Sequence, residues 1–454
     1  MHVVRRSQCC RGRVGEGVLS GTVGQMGSGA AVTALFADAG LERDDRMLTL
    51  GGVLLGEIAE QVGTPAFVYN AEAIRSRYRS LDAALSLLPH RICFAVKANG
   101  NLAVLRVLQE LGAGADIVSA GELSRALAAG FAPDRIVFSG VGKTADELLA
   151  AMRIGVGHLN VESREELELL AKLAEREKLN VKVGLRINPD VTTDTHPYIS
   201  TGKSGIKFGL PTDQAVPAAE YVLRHPLLKL TTIAMHLGSQ IVETEPFIQG
   251  ITRLAELVDR FRRVGVSTLR VLDIGGGLGI RYAQEHAIDP VQFAAAIVPP
   301  LQATGLTVYL EPGRFLVGSA GVLLTRVLYR KHSGGKAFVV VDAGMNDLVR
   351  PSHYQAYHEI VELEEQRRPG GRADVVGPVC ETGDFLALDR LLPGLESGDG
   401  LAILGAGAYG FVMASNYNSR PRAAEVMVDQ GRWWITRPRE RLEELYATER
   451  VSPS

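Results

Sequence analysis

The chain has 454 residues, with 49 Lys plus Arg against 51 Asp plus Glu, a formal charge of -2, 46% hydrophobic residues and 22% charged ones. That balance is ordinary for a well-buried globular protein; it excludes a disordered chain, a collagen-like fibre and, with no basic excess, an obvious nucleic-acid binder. No stretch approaches about 18 uninterrupted apolar residues, so no membrane span is expected, and Cys9, Cys10, Cys93 and Cys380 form neither a Cys-x-x-Cys pair nor a zinc set, which fits a reducing, cytoplasmic setting with no metal.

In chain order, residues 1–46 stand apart. Arg5, Arg6, Arg11 and Arg13 lie among Gly, Ser and Cys, with Glu16 the only acid before Asp38. Gly17-Val18-Leu19-Ser20-Gly21 is too short an apolar core for a secretory signal, and the Arg-rich, acid-poor start has a faint likeness to an organelle transit peptide. Otherwise the segment reads as a disordered extension or an upstream start, with Met26 or Met47 the true beginning, and it is assigned no function. From about residue 90, apolar β-branched runs recur at 92–96, 115–119, 135–139, 157–161, 182–188, 232–238, 269–274 and 307–310. Helical patterns at 102–111, 121–129, 145–154 and 165–177 separate them. Strands alternating with helices at this spacing predict a (β/α)8 TIM-like barrel over residues 71–313, with chemistry on the loops that follow the strands. After residue 313 the rhythm changes. Strands at 322–329, 338–342, 374–378, 401–404 and 425–428, the last turning through Asp429-Gln430-Gly431 to 433–436, predict a mainly β C-terminal domain over 314–440. Residues 47–70, with a short helix at 54–61 and a strand at 66–69, join that domain, and 441–454 form a tail.

Two motifs mislead. Gly142-Lys143-Thr144 resembles the end of a phosphate-binding P-loop, but Val137 stands where the pattern needs Gly, and Thr144-x-x-Glu147 reads as a helix capping box. Gly405-Ala406-Gly407-Ala408-Tyr409-Gly410 matches the dinucleotide fingerprint formally, yet no amphipathic helix follows it.

The strand ends carry the chemistry. Lys97 closes the first strand in Phe94-Ala95-Val96-Lys97-Ala98-Asn99; it is either a desolvated amine of lowered pKa, suited to a Schiff base, or a snorkelling surface lysine, and Asp116 at the second strand supplies a counter-charge. His236 ends the sixth strand and is either a core histidine or a ring for stacking on a flat cofactor. Gly275-Gly276-Gly277-Leu278-Gly279 follows the seventh strand, where barrels of this kind hold phosphate on backbone N–H groups. Glu311-Pro312-Gly313-Arg314 ends the eighth, with a carboxylate to hold a protonated ring nitrogen and a guanidinium to fork onto an anion. Together these describe a site for pyridoxal 5'-phosphate.

The segments Phe94–Asn99, Ser139–Thr144, Asn188-Pro189-Asp190, His196–Gly202, His236–Gln240, Gly275–Gly279, Glu311–Arg314, Asp342–Asp347, Cys380–Asp384 and Ala414–Pro421 resemble the alanine racemase-like, fold-type III pyridoxal phosphate decarboxylases, and within them the diaminopimelate branch. The likeness is collinear from about residue 47 to about 437, with departures at 202–209 and at Thr382 that alter none of the charges used here. It implies that Lys97 holds the cofactor as a Schiff base, His236 stacks on the ring and Glu311 protonates the ring nitrogen. Ser239, Gly275, Gly276, Gly277, Pro312, Gly313, Arg314 and Tyr409 would surround the cofactor, and Arg314, Arg350, Tyr354, Glu381 and Tyr409 would contact substrate. Cys380 matches the proton donor, and Cys380 with Glu381 would reach into a partner's site, which implies a homodimer with shared sites.

Charge discriminates among substrates. Ornithine and arginine end in a cation and call for distal carboxylates, whereas meso-diaminopimelate ends in a second amino acid. Arg314 and Arg350 beside Glu381 suit that end, which points to decarboxylation to L-lysine, the last step of lysine biosynthesis. The alternatives are an ornithine, arginine or carboxynorspermidine decarboxylase of the same fold, a racemase, and a non-catalytic pyridoxal phosphate-binding homologue.

Overall fold

The computed structural model describes residues 29–192, 202 and 205–451. Eight parallel strands, His90–Ala95, Gly114–Ile117, Ile136–Phe138, His158–Val161, Val181–Asn188, Leu228–Ala234, Val271–Asp273 and Thr307–Leu310, close on themselves, the last pairing with the first through Val308 opposite His90 and Leu310 opposite Ile92. The second, third and fourth of them are buried at every position, as strands covered on both faces must be. A capping side chain starts each of the first four helices after a strand: Asn101, Ser119, Thr144 and Ser163 accept from backbone N–H groups of the opening turn. The Thr144–Glu147 capping box is present as expected. Lys143 has a fully buried side chain that donates to the Asn160 carbonyl and pairs with Glu166, both at 2.8 Å, so its ammonium serves the barrel wall and not a phosphate.

The strands after residue 320 form a second, β-rich body. Gly321–Ser333 is long enough to pair with Ala66–Asn70 and Gly400–Ile403 at one end and with Lys336–Val341 at the other. Ala66–Asn70, buried throughout, lies between it and Ala424–Asp429. The hairpin from Ala424–Asp429 to Arg432–Arg437 turns on Gln430 and Gly431, both at positive φ, as a two-residue type I′ turn requires. Strands at Ile360–Glu362 and Phe385–Leu392 are additional to the expected ones. The second places Asp389-Arg390 in mid-strand, where polar residues mask the alternation. Among the described residues no helix is long and apolar enough to cross a membrane.

The start of the chain requires a correction. Residues 1–28 lie outside the described residues, but the remainder of 1–46 is not an extension outside the fold. Gly29–Ala39 is a helix, and Leu41–Asp44 pairs antiparallel with Met47–Leu50. Leu35, Ala39 and Leu41 are buried with Leu48, Leu50, Val322 and Val428 in a second apolar cluster, and Asp38 pairs with Arg77 at 2.6 Å. A four-residue strand and an Ala-rich helix carry almost no periodic signal; their partners, far along the chain, create the order.

His158, buried in the fourth strand against the Tyr309 ring, gives the barrel an acid-sensitive point. Burial, with the charges of Arg91 and Lys182, lowers its pKa to about 3. The unfolded chain takes up that proton near pH 6.5 and the folded chain does not, so stability is complete above about pH 6.5 and falls by about 1.4 kcal/mol per unit of acidification below it. His158→Leu is therefore expected to flatten the decline in urea midpoint between neutral and acid pH by about one proton's worth of slope.

Candidate active site

The first barrel strand ends at Ala95, and the turn Val96–Ala98 carries Lys97 onto the rim. Lys97 Nζ donates to Asp116 Oδ2 at 2.9 Å, and Asp116, in the second strand, is fully buried. Of the two readings open for Lys97 in the sequence, a desolvated amine of lowered pKa and a snorkelling surface lysine, neither describes its electrostatics. Burial does push the ammonium down, but the charges of Asp116, Tyr409 and Glu311 outweigh it and hold Lys97 above its ordinary range. The reason is proximity: at hydrogen-bond distance the buried carboxylate opposes desolvation directly.

His236 follows the sixth strand, and Gly276 N–H donates to its Nδ1 at 3.0 Å, which leaves the ring proton on Nε2. Burial, then Lys97 and Arg186, holds the imidazole well below its ordinary pKa, so the ring is neutral. Gly275 N–H donates to Asp273 Oδ1 at 2.9 Å. Of the three glycines, Gly277 alone keeps its N–H clear of protein acceptors among the described residues. The run also permits close approach, since a Cβ on Gly276 would strike the Glu311 carbonyl and one on Gly277, at φ 104°, the Gly238 carbonyl. Glu311 N–H donates to Gly275 O at 2.8 Å, and its buried carboxyl lies 3.5 Å from Ser139 Oγ and close enough to Asp273 to feel its charge. Burial, then Asp116 and Asp273, raises Glu311 well above the carboxylate range, and burial raises Asp273 too. Three buried carboxyls around one ammonium leave the pocket floor short of positive charge.

The opposite sign prevails at the mouth. Pro312 O accepts from Ala95 N–H at 3.3 Å, and a Cβ on Gly313 would press on Ala98, so this segment lies against the Lys97 turn. Arg314, which follows, is 6% exposed. Its Nη2 donates to Ser239 Oγ at 3.0 Å and its Nη1 to the Tyr282 hydroxyl at 2.6 Å, and its Cζ lies 4.9 Å from the Tyr409 ring. Tyr409 is fixed by a 2.8 Å bond from its N–H to Ala98 O. Arg350 opens the helix Arg350–Tyr354 and is 5% exposed; Nη1 donates to His358 Nε2 at 2.8 Å. Tyr354, at the end of that helix, lies near both arginines. Neither guanidinium has a carboxylate partner among the described residues. Two buried cations without an acid are costly unless an anion joins them, so this mouth is built for phosphate or carboxylate.

Residues 71–318 match the family described as "Pyridoxal-dependent decarboxylase, pyridoxal binding domain". The diaminopimelate decarboxylase of Pseudomonas aeruginosa is 50% identical over 409 residues, 90% of this chain and 98% of that one. That of Vibrio cholerae is 46% identical over 414 residues, again 90% and 98%. The crystal structure of diaminopimelate decarboxylase from Helicobacter pylori complexed with L-lysine superposes with a TM-score of 0.84 at 40% identity, covering 87% of this chain and 98% of that one. The chain belongs to the pyridoxal-dependent decarboxylases, in the diaminopimelate decarboxylase branch.

The pocket fits the cofactor of a pyridoxal-dependent decarboxylase. An amine for covalent attachment, a neutral ring beside it, an acid-rich floor for a protonated ring nitrogen and an acid-free guanidinium for phosphate occupy one rim. The barrel with its β domain is the fold-type III arrangement of these decarboxylases. Among the described residues, Cys380 and Glu381 make no hydrogen bond or ion pair to this group. Both are exposed; Cys380 N–H donates to Asn418 Oδ1 at 2.7 Å, and Glu381 meets Tyr417. Of the segment His196–Gly202, only Gly202 is among the described residues. The sequence reading passes over Asp273 and Tyr282. Asp273, a lone acid in an apolar strand just before the glycines, carried a legible signal; Tyr282 carried none, because only folding sets it between the arginines.

Proposed function

We propose that this decarboxylase removes carbon dioxide from meso-2,6-diaminopimelate to give L-lysine. The observation that carries the substrate assignment is the pair Arg314 and Arg350, buried at one mouth with no carboxylate partner among the described residues. A substrate ending in a cation alone would meet two like charges there; one whose far end bears a carboxylate neutralises them.

Bound pyridoxal phosphate supplies a sink for the electron pair released as carbon dioxide leaves. Lys97 would hold the cofactor through Nζ and yield to the substrate amine. Glu311, with Asp273 behind it, would keep a proton on the ring nitrogen, and His236 would lie flat against the ring. Arg314, Ser239 and Gly277 N–H would take the phosphate, while Arg350, Tyr354 and the remaining face of Arg314 would orient the distal carboxylate. Cys380 would return a proton to the carbon that lost carbon dioxide, and Glu381 would take the distal amine. Because these two sit on an exposed loop of their own chain, we assign them to the site of a second copy, making the enzyme a homodimer with shared sites. The net charge of -2 offers nucleic acid no attraction, and a cytoplasmic location suits the free thiol of Cys380.

Carbon dioxide release from meso-diaminopimelate, L-ornithine and L-arginine, measured in parallel on the pyridoxal phosphate-loaded protein, tests the assignment. Release from diaminopimelate alone, with L-lysine formed, is expected; release chiefly from ornithine or arginine would overturn the distal-site reading. Arg350→Met should raise the diaminopimelate KM by about 10- to 100-fold, the scale of losing a charge-assisted bond.

A further inference from the structure

Tyr282 stands on the loop after the seventh strand, beyond the glycines, and is 7% exposed. Arg314 Nη1 donates to its oxygen at 2.6 Å. The Arg350 guanidinium lies over the ring of the same residue, its Cζ 4.7 Å from the centroid. His358 completes the assembly. Its ring meets Tyr282 edge-on at 5.3 Å and 74°, and its Nδ1, 2.7 Å from the Leu404 carbonyl, must carry the hydrogen. That leaves the Nε2 lone pair to accept from Arg350 Nη1 at 2.8 Å. Tyr282 thus holds Arg314 by its hydroxyl and backs Arg350 with its ring while His358 aims Arg350, although like charges at this depth repel. Burial pushes the Tyr282 phenol up, but Arg314 and Arg350 outweigh it and hold it below its ordinary value.

We propose that Tyr282 is a positioning residue that joins Arg314 and Arg350 into one two-pronged receptor and so sets selectivity for a substrate end bearing a carboxylate. The inference rests on the distal-carboxylate reading above and deepens it. Tyr282 itself meets no reacting atom. Without its oxygen Arg314 loses the acceptor that fixes it beside the ring-backed Arg350, and a carboxylate must then order it on binding, at a cost in affinity.

Tyr282→Phe keeps the ring that lies under Arg350 and against His358 and removes only the acceptor. On the holoenzyme, three quantities separate positioning from general damage: kcat and KM for meso-diaminopimelate, the Kd of L-lysine by calorimetry, and inhibition by cadaverine. L-lysine keeps the carboxylate-bearing end, and cadaverine has no carboxylate. The expected result is a KM and an L-lysine Kd each raised about 10-fold, the scale of one hydrogen bond to a charged group. With them go a kcat within about 3-fold of wild type, unchanged cadaverine inhibition and unchanged pyridoxal phosphate absorbance. Unaltered KM and L-lysine Kd would overturn the proposal. So would a parallel loss of kcat, cadaverine binding and cofactor retention, which would mark a merely structural role. If Tyr282→Phe does not fold, Tyr282→Met, similar in bulk and without an acceptor oxygen, is judged by the same criteria. Failure of the underlying substrate reading shows separately, as wild-type enzyme that releases no carbon dioxide from meso-diaminopimelate.

Discussion

Lys97→Ala is expected to lower turnover by about 10⁴-fold or more, the scale of deleting a covalent nucleophile, and to remove the visible absorbance of covalently held pyridoxal phosphate. No other amine described at this rim can replace it. Lys143, the second buried lysine near these strand ends, is engaged by the Asn160 carbonyl and by Glu166. Asp116 explains why Lys97 is both available and oriented. Its Oδ2 holds Nζ at 2.9 Å, and its Oδ1 has no partner among the described residues, so the carboxylate acts on Lys97 undiluted by other donors. Asp116→Asn would therefore lower the Lys97 pKa, because burial would then act against a weaker opposing charge. A Lys97→Ala protein that kept the absorbance band would rule out the covalent assignment; one that lost the band but kept turnover would rule out its role in the reaction.

The second large effect concerns the exposed loop. Cys380→Ala is expected to slow decarboxylation by about 10²- to 10³-fold, within the range for a positioned general acid, while leaving pyridoxal phosphate binding intact. That separation should hold because, among the described residues, Cys380 makes no hydrogen bond to the pocket side chains, its N–H going to Asn418 instead. The decisive form of the experiment mixes two inactive proteins. If Lys97 and Cys380 of one site come from different copies, unfolding and refolding Lys97→Ala together with Cys380→Ala gives mixed dimers with one intact site in two, restoring about a quarter of wild-type activity in a statistical mixture. A mixture as inactive as its parents, with mixed dimers demonstrably present, would place both residues in the same chain's site.

Much of this was legible in the sequence because it depended on short-range pattern. The eight barrel strands fall within a few residues of the apolar β-branched runs, since a strand buried on both faces must be apolar along its length. The capping box at Thr144 and Glu147 is a contact across one helical turn, set by local spacing. The strand-end residues Lys97, His236, Glu311 and Arg314 were recognisable because polar groups at the ends of apolar strands have few other uses. The features that escaped are long-range. The helix Gly29–Ala39 and the strand Leu41–Asp44 draw their order from Val322 and Val428, hundreds of positions away. The sign of the Lys97 pKa shift stays open in the sequence, which offers both an apolar neighbourhood and Asp116 as a counter-charge but not the 2.9 Å between them. Tyr282 and His358 belong to the site only because the loop after the seventh strand and the β-rich body meet at the arginines.

By itself, then, the sequence determined the barrel, the class of cofactor and the polar residues that the strand ends bring to one rim, because periodicity and strand-end chemistry are properties of neighbours along the chain. Only the tertiary structure decided which charges oppose one another: that Asp116 offsets the burial of Lys97, that three carboxyls share the pocket floor, and that two arginines converge on one phenol without an acid between them among the described residues. Electrostatic energy depends on separation through space and on what lies between, and neither quantity is written in the order of the residues.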